Sequence, residues 1–282
     1  INNGINRPTF IIAQNSNFKN NFAVNGGVIH ASSDWLIFLS NKSNFISNRA
    51  RKNGGVLYYK DNKKHEELIF SYHSSFVANC AAKGGVFYTI NLANITAQKC
   101  NFLSNSAEQG GVLNFHSSKE IKILLSRFTF NQAKSKTGTG GGLHGIDFKA
   151  IISEKNYYYR NSAYLNGGVF YCTWKAYHEE TGEPEPTKSI IILYKNKLIE
   201  NQALSGSGGG LMLENIKQIR IRYSILRKNT AIVNGGLMFL KMVNFIQIEH
   251  SMISAQETDI FGGAIFSFGT KLFAITYCTA NE

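Results

Sequence analysis

The stretch Phe18-Lys19-Asn20-Asn21-Phe22-Ala23-Val24-Asn25-Gly26-Gly27-Val28-Ile29 decides the fold, because the chain repeats it. An apolar anchor is followed three residues later by Asn, five later by Ala, and then by a glycine pair. The first half recurs as Phe45/Asn48/Ala50, Phe76/Asn79/Ala81, Phe102/Asn105/Ala107 and Phe128/Asn131/Ala133. It continues as Tyr158/Asn161/Ala163, Leu198/Asn201/Ala203 and Leu226/Asn229/Ala231, with a degenerate ninth copy at Ile253, Gln256 and Thr258. The glycine pairs read Gly26-Gly27, Gly54-Gly55, Gly84-Gly85, Gly110-Gly111, Gly141-Gly142, Gly167-Gly168, Gly209-Gly210, Gly235-Gly236 and Gly262-Gly263. Most intervals are 26 to 31 residues and one is 42. A period of this size is the mark of a solenoid.

Aligning the copies on the anchor exposes further columns. Seven positions earlier the residue is always bulky and apolar, from Ile11 and Phe38 to Ile219 and Ile246. Five positions earlier it is small or aliphatic, from Ala13 and Ser40 to Ile221 and Ile248. The alternation is that of a strand. Serine recurs two positions before the anchor, at Ser16, Ser43, Ser74, Ser126, Ser224 and Ser251. Like residues at one register in every copy imply coils stacked in parallel, roughly 4.8 Å apart. The expected fold is all-β: a right-handed parallel β-helix of nine to ten coils filling residues 1–282, the tenth beginning at Phe273. Its length would be on the order of 40 Å, and the handedness follows from the twist of parallel crossovers. The glycine pairs are expected at corners with positive φ. The recurring Asn is expected to tolerate left-handed geometry or to form a hydrogen-bonded ladder between coils.

The FxxN motif and the later Gly27-Val28-Ile29, Gly55-Val56-Leu57, Gly85-Val86-Phe87 and Gly263-Ala264-Ile265 together resemble the polymorphic outer membrane protein repeat family. The resemblance covers nearly the whole chain and implies a pectin-lyase-like fold and, in bacterial members, an adhesin exported as an autotransporter passenger. No β-barrel segment is expected within these residues.

Composition bounds the rest. The chain has 282 residues, 43% of them hydrophobic and 17% charged, enough apolar material for a sizeable core. No apolar run reaches the length of a membrane-spanning helix, and the start at Ile1 lacks the features of a signal peptide. The chain begins without Met and shows no polar cap at either end. It is therefore expected to be a fragment of a longer protein, or a rod that stacks on another molecule. Cys80, Cys100, Cys172 and Cys278 show no zinc spacing. The net charge of +12 fits a polyanion partner or solubility alone.

Polysaccharide-cutting enzymes on this fold need two or three aspartates on adjacent coils, holding calcium or activating water. Asp34, Asp61, Asp147 and Asp259 fall at different registers and in different coils, and Glu66, Glu67, Glu154 and Glu249 also miss one another. His73 and His250 share a register far apart. No cofactor motif is present, and the glycine stretches at 137–142 and 205–210 lack the Lys-Ser/Thr of a phosphate loop. The expectation is a module without catalysis, with a pectin-lyase-like enzyme as the alternative.

Outward positions are then the candidate sites. Eight and six positions before the anchor stand Phe10 and Ile12, Ile37 and Leu39, Leu68 and Phe70, with Ile190 and Ile192 repeating the pattern. Water-facing strands should be polar, as Asn94/Thr96, Glu120/Lys122 and Gln218/Arg220 are. An exposed apolar surface across three coils points to another protein chain, or to a flank or loop of the same chain. The apolar strands after the glycine pairs point the same way. Three positions before the anchor a broken basic row of Lys42, Lys99, Lys155 and Lys195 could follow an anionic glycan; without interleaved aromatics it does not suit nucleic acid. An insertion at 173–189, with Trp174, Glu179 and Glu180, is a candidate recognition loop. Sequons at Asn41 and Asn94 fit glycosylation in an exported protein. Together these favour a structural or adhesive module at the cell surface or outside the cell, with an intracellular scaffold as the alternative.

Overall fold

The computed structural model describes residues 9–32, 36–61, 68–174 and 189–281. The coils repeat one circuit, with the short alanine strand of the third coil reduced to isolated bridges at Cys80. An entry strand such as Asn94–Gln98 leads to a three-residue anchor strand such as Asn101–Leu103. A short alanine strand such as Ser106–Ala107 follows, then the glycine corner and a glycine strand such as Leu113–Leu124, which runs on into the next entry strand. All strand pairings are parallel between neighbouring coils, and the anchor strands alone form a ten-stranded sheet. This is the expected parallel β-solenoid.

The corners are made by left-handed residues. Three positions before each anchor, φ is positive in every coil, from Asn15 (47°) and Lys42 (47°) to His250 (47°) and Tyr277 (52°). A second left-handed residue lies two positions after the anchor, as at Asn20, Ser47, Ala78 and Ser104. The recurring Asn is therefore not the left-handed residue; its predecessor is. That Asn turns inward instead and builds the ladder. Asn105 Nδ2 donates to Asn131 Oδ1 at 3.0 Å and to the Phe76 carbonyl at 2.8 Å. Its Oδ1 accepts from the backbone N–H and the Nδ2 of Asn79, both at 3.0 Å. The same four bonds repeat from Asn48 to Asn229, where Gln256 takes the next rung. A fully buried amide thus has all four of its hydrogen-bonding positions filled, which is the condition for burying it at all.

Two glycine pairs sit one residue earlier than the sequence reading placed them. The left-handed glycines are Gly140 and Gly208, so the pairs are Gly140-Gly141 and Gly208-Gly209. Gly142 and Gly210 take the place that Val86 and Val112 hold in other coils, as shown by their bonds to Val169 and Leu237.

The core columns fill with complementary volumes. From Phe18 to Phe128 the anchors are phenylalanines stacked ring on ring, with centroids 4.5–5.0 Å apart. Opposite the first four stand the small residues Ala13, Ser40, Ser71 and Ala97, while Phe128 already has the larger Ile123 at that register. Where the anchors become Leu198 and Leu226, the same opposite column becomes Leu193 and Ile221, so the cross-section stays filled. Tyr158 is the exception, and its buried hydroxyl lies 2.9 Å from Ser153 Oγ, beside Asn156 and Asn196.

Cys100 and Cys278 occupy the serine column and bond as serine does, Cys100 Sγ reaching the Ser71 and Gln98 carbonyls at 3.3 and 3.4 Å. Burial pushes the Cys100 thiol up to about 11, and the Cys172 thiol is raised by burial as well. Both should resist alkylation in the native rod at pH 8, whereas Cys80 and Cys278, which are only half-buried, should react. Mass-spectrometric mapping of the modified thiols checks this; rapid labelling of Cys172 would contradict the packing. A raised thiol pKa stabilises the fold fully below its unfolded value near 9. That contribution is lost as the pH climbs from there through about 11 for Cys100, so the rod should weaken at alkaline pH.

Candidate functional site

The outward apolar residues lie where the register puts them. Phe10, Ile37 and Leu68 stack in one column, and Ile12, Leu39 and Phe70 in the next. Phe10 and Ile12 are 59% and 65% exposed, while the other four are half-buried by their neighbours in the stack. The patch ends at coil four, where Asn94 pairs with Leu68 and Thr96 with Phe70. Beyond it, Glu120 and Lys122 form an ion pair at 2.6 Å. Ile190 and Ile192 form a second, smaller patch beside Ala150 and Ile152. Ile152 belongs to the same outward column, a residue the sequence reading did not single out.

The apolar strands after the glycine pairs do not extend this surface. Their outward residues form a column that includes Tyr58, Tyr88, His144, Tyr171 and Met212, in which Tyr88, His144 and Met212 are only 8%, 5% and 8% exposed. Tyr58 and Tyr88 stack at 5.6 Å, His144 stacks on Tyr171 at 5.0 Å, and Thr139 Oγ1 meets His144 Nδ1 at 2.7 Å. Stacking between neighbours contributes to the burial of this column.

Trp174 also belongs to the body of the rod. It is buried, its backbone N–H donates to the Glu214 carbonyl at 3.2 Å, and its backbone carbonyl accepts from Asn215 Nδ2. Glu179 and Glu180 lie outside the described residues. Of the sequon residues, Asn41 and Asn94 both sit on the outward side of entry strands and are half-buried. Because Asn94 continues the column of Leu68, a glycan there would crowd the apolar patch.

The lysine row occupies left-handed corners, with φ of 47° at Lys42, 53° at Lys99, 54° at Lys155 and 53° at Lys195. It is not a uniform stripe. Lys99 lies over the Tyr72 ring at 5.5 Å, Lys155 pairs with Glu154 at 3.0 Å and Lys195 lies over Tyr194 at 5.1 Å. Of the four, Lys155 and Lys195 share a groove. They line an open groove of about 520 Å³ together with Arg127, Lys197, Tyr157 and Leu125. Arg127, Tyr157 and Lys197 stack in one outward column immediately before the anchors. Sequence reading missed Arg127 and Lys197, since that column holds Asn17, Asn44, Ser75 and Asn101 in the first coils and shows no pattern. Nearby, Arg160 is committed to Glu200 at 2.7 Å and holds that carboxyl below its usual range.

Asp61 and Asp147 share a corner register, contrary to the sequence reading, but Asn91 and Ser117 stand between them in the column. Among the described residues no three His, Cys, Asp or Glu side chains gather closely enough to hold a metal ion, and no helix is long and apolar enough to cross a membrane.

Comparison with protein-family models, curated proteins and solved structures finds no match. The chain therefore stands on its own geometry as a parallel β-solenoid with an apolar face on its first three coils and a basic groove on its fifth to seventh.

Proposed function

We propose that the chain is a non-catalytic structural or adhesive module of a larger protein, exposed at a cell surface or built into an assembly. The six-residue outward patch on coils one to three is where another protein chain docks. One observation carries the reading: Phe10 and Ile12 point away from the core at well over half exposure, at the head of two apolar columns. Soluble rods face water with polar residues, and this one does so at Glu120 and Lys122. The repeat's resemblance to polymorphic outer membrane proteins supports the adhesive variant and a location outside the cell. The separation of Asp61 from Asp147 favours binding over catalysis.

Replacing Leu68 and Phe70 with Lys tests the proposal. Both side chains point outward, and a lysine stem can lie along the surface with its charge in water. The expected result is a rod whose unfolding midpoint moves by no more than a few degrees and which no longer cross-links to the neighbour captured by the native chain. Unfolding of the variant, or undiminished cross-linking, would overturn the proposal.

A further inference from the structure

The basic groove on coils five to seven carries an inference that does not rest on the apolar patch. Arg127, Lys195 and Lys197 have no carboxylate within 4.0 Å among the described residues, although the pairs Lys155–Glu154 and Arg160–Glu200 form close by. Three cations without counter-charges around one concavity repel one another, an arrangement that a bound anion relieves. The groove also coincides with a break in the repeat. In coils six and seven Asn156 and Asn196 stand in the serine column, and Asn156 lies in the groove wall. In the same place Tyr157 stands in register between Arg127 and Lys197, one coil from each.

We infer that this groove binds an acidic polysaccharide, with sulfate or carboxylate groups on Arg127, Lys195 and Lys197 and a sugar ring against Tyr157. An arginine fork matches a planar or tetrahedral oxyanion, and lysines add point charges beside it. The geometry selects among polyanions. A membrane surface meets convex features and cannot enter a concave groove. A single-stranded nucleic acid needs successive aromatic platforms, and Tyr157 is the sole ring in the groove lining. An acidic peptide added as a strand needs unpaired backbone, but the anchor strands at Arg127, Tyr157 and Lys197 are paired on both sides. A flexible chain of rings bearing regularly spaced acidic groups fits the concavity, the charge and the ring together.

The test is titration of the purified chain with a heparin oligosaccharide. The native protein should bind, and raising salt from about 50 to about 200 mM should weaken it. Arg127→Ala with Lys197→Ala should weaken binding about tenfold or more, and Tyr157→Ala a few-fold, with Tyr157→Phe retaining affinity. The control Lys42→Ala with Lys99→Ala, which removes the same charge outside the groove, should bind as the native chain does. All these side chains are at least partly exposed, and far-UV circular dichroism verifies the fold. Absence of binding by the native chain, or equal losses from groove and control variants, would overturn the inference. So would tighter binding to phosphoinositide vesicles or to a single-stranded oligonucleotide. Cross-linking through the apolar patch is unaffected by any of these outcomes, so the two readings fail separately.

Discussion

Asn105→Ala is expected to destabilise the rod by about 3–5 kcal/mol, each buried group stripped of its partner costing about 1–3 kcal/mol. The residue is 0% exposed, so water cannot replace what is lost. The backbone N–H and the Nδ2 of Asn79 both lose their acceptor, and the Phe76 carbonyl loses its donor. Urea unfolding of the variant beside the native chain measures the effect; a loss under about 1 kcal/mol would mean that the ladder is incidental to stability. Asn105→Asp separates shape from chemistry. It keeps the volume and the acceptors but removes the donors and places a carboxylate in the core, which raises the folded-state pKa of the new group above its unfolded value. The stability of that variant should therefore fall as the pH rises above about 4 and recover on acidification.

The second large effect comes from the glycine column. A Cβ on Gly111 would lie 2.2 Å from the carbonyl oxygen of Gly141 in the next coil and 2.8 Å from both the nitrogen and oxygen of Gln132. These are backbone atoms held by the inter-coil bonds, so no side chain can step aside. Gly111→Ala should cost at least about 4 kcal/mol, the range reserved for steric failure in a packed interior. Gly263 is the second glycine of the same motif, yet its Cβ would meet only the Gln256 carbonyl at 3.8 Å. Gly263→Ala should be neutral or stabilising by up to about 1 kcal/mol, through the lower entropy of the unfolded chain. Parallel thermal melts of the two variants decide the matter, and equal losses would show that the stacked carbonyls are not the obstacle.

The columns were legible because ten coils average out local accident. Ile121, Phe128 and Ala133 announce their places by recurring, and their burial follows. What escaped reading were the exceptions. Three consecutive glycines at Gly140-Gly141-Gly142 satisfy the motif in two registers, and the positive φ of Gly140 with the backbone bond of Gly142 to Val169 decides between them. Asn20-Asn21 conceals two jobs in adjacent positions, a left-handed corner and a ladder rung. In the apolar glycine strands a sequence shows apolar content but not the mutual stacking of Tyr58 on Tyr88. The groove was invisible for the opposite reason. Arg127 and Lys197 matter as a pair in coils where the repeat changes, and a column average hides departures of that kind.

The bond pattern of the ladder has a consequence for how such a rod can change. Asn79 bonds only to residues of the coils on either side, and so do Asn105 and Asn131. Excising one whole coil would bring equivalent donors and acceptors face to face and close every ladder again. The molecule therefore has an inbuilt unit of length, roughly 4.8 Å, and the distance between whatever is attached to its two ends can be reset by copy number alone. Substitution tunes the surface of such a rod; duplication and loss of coils set its reach.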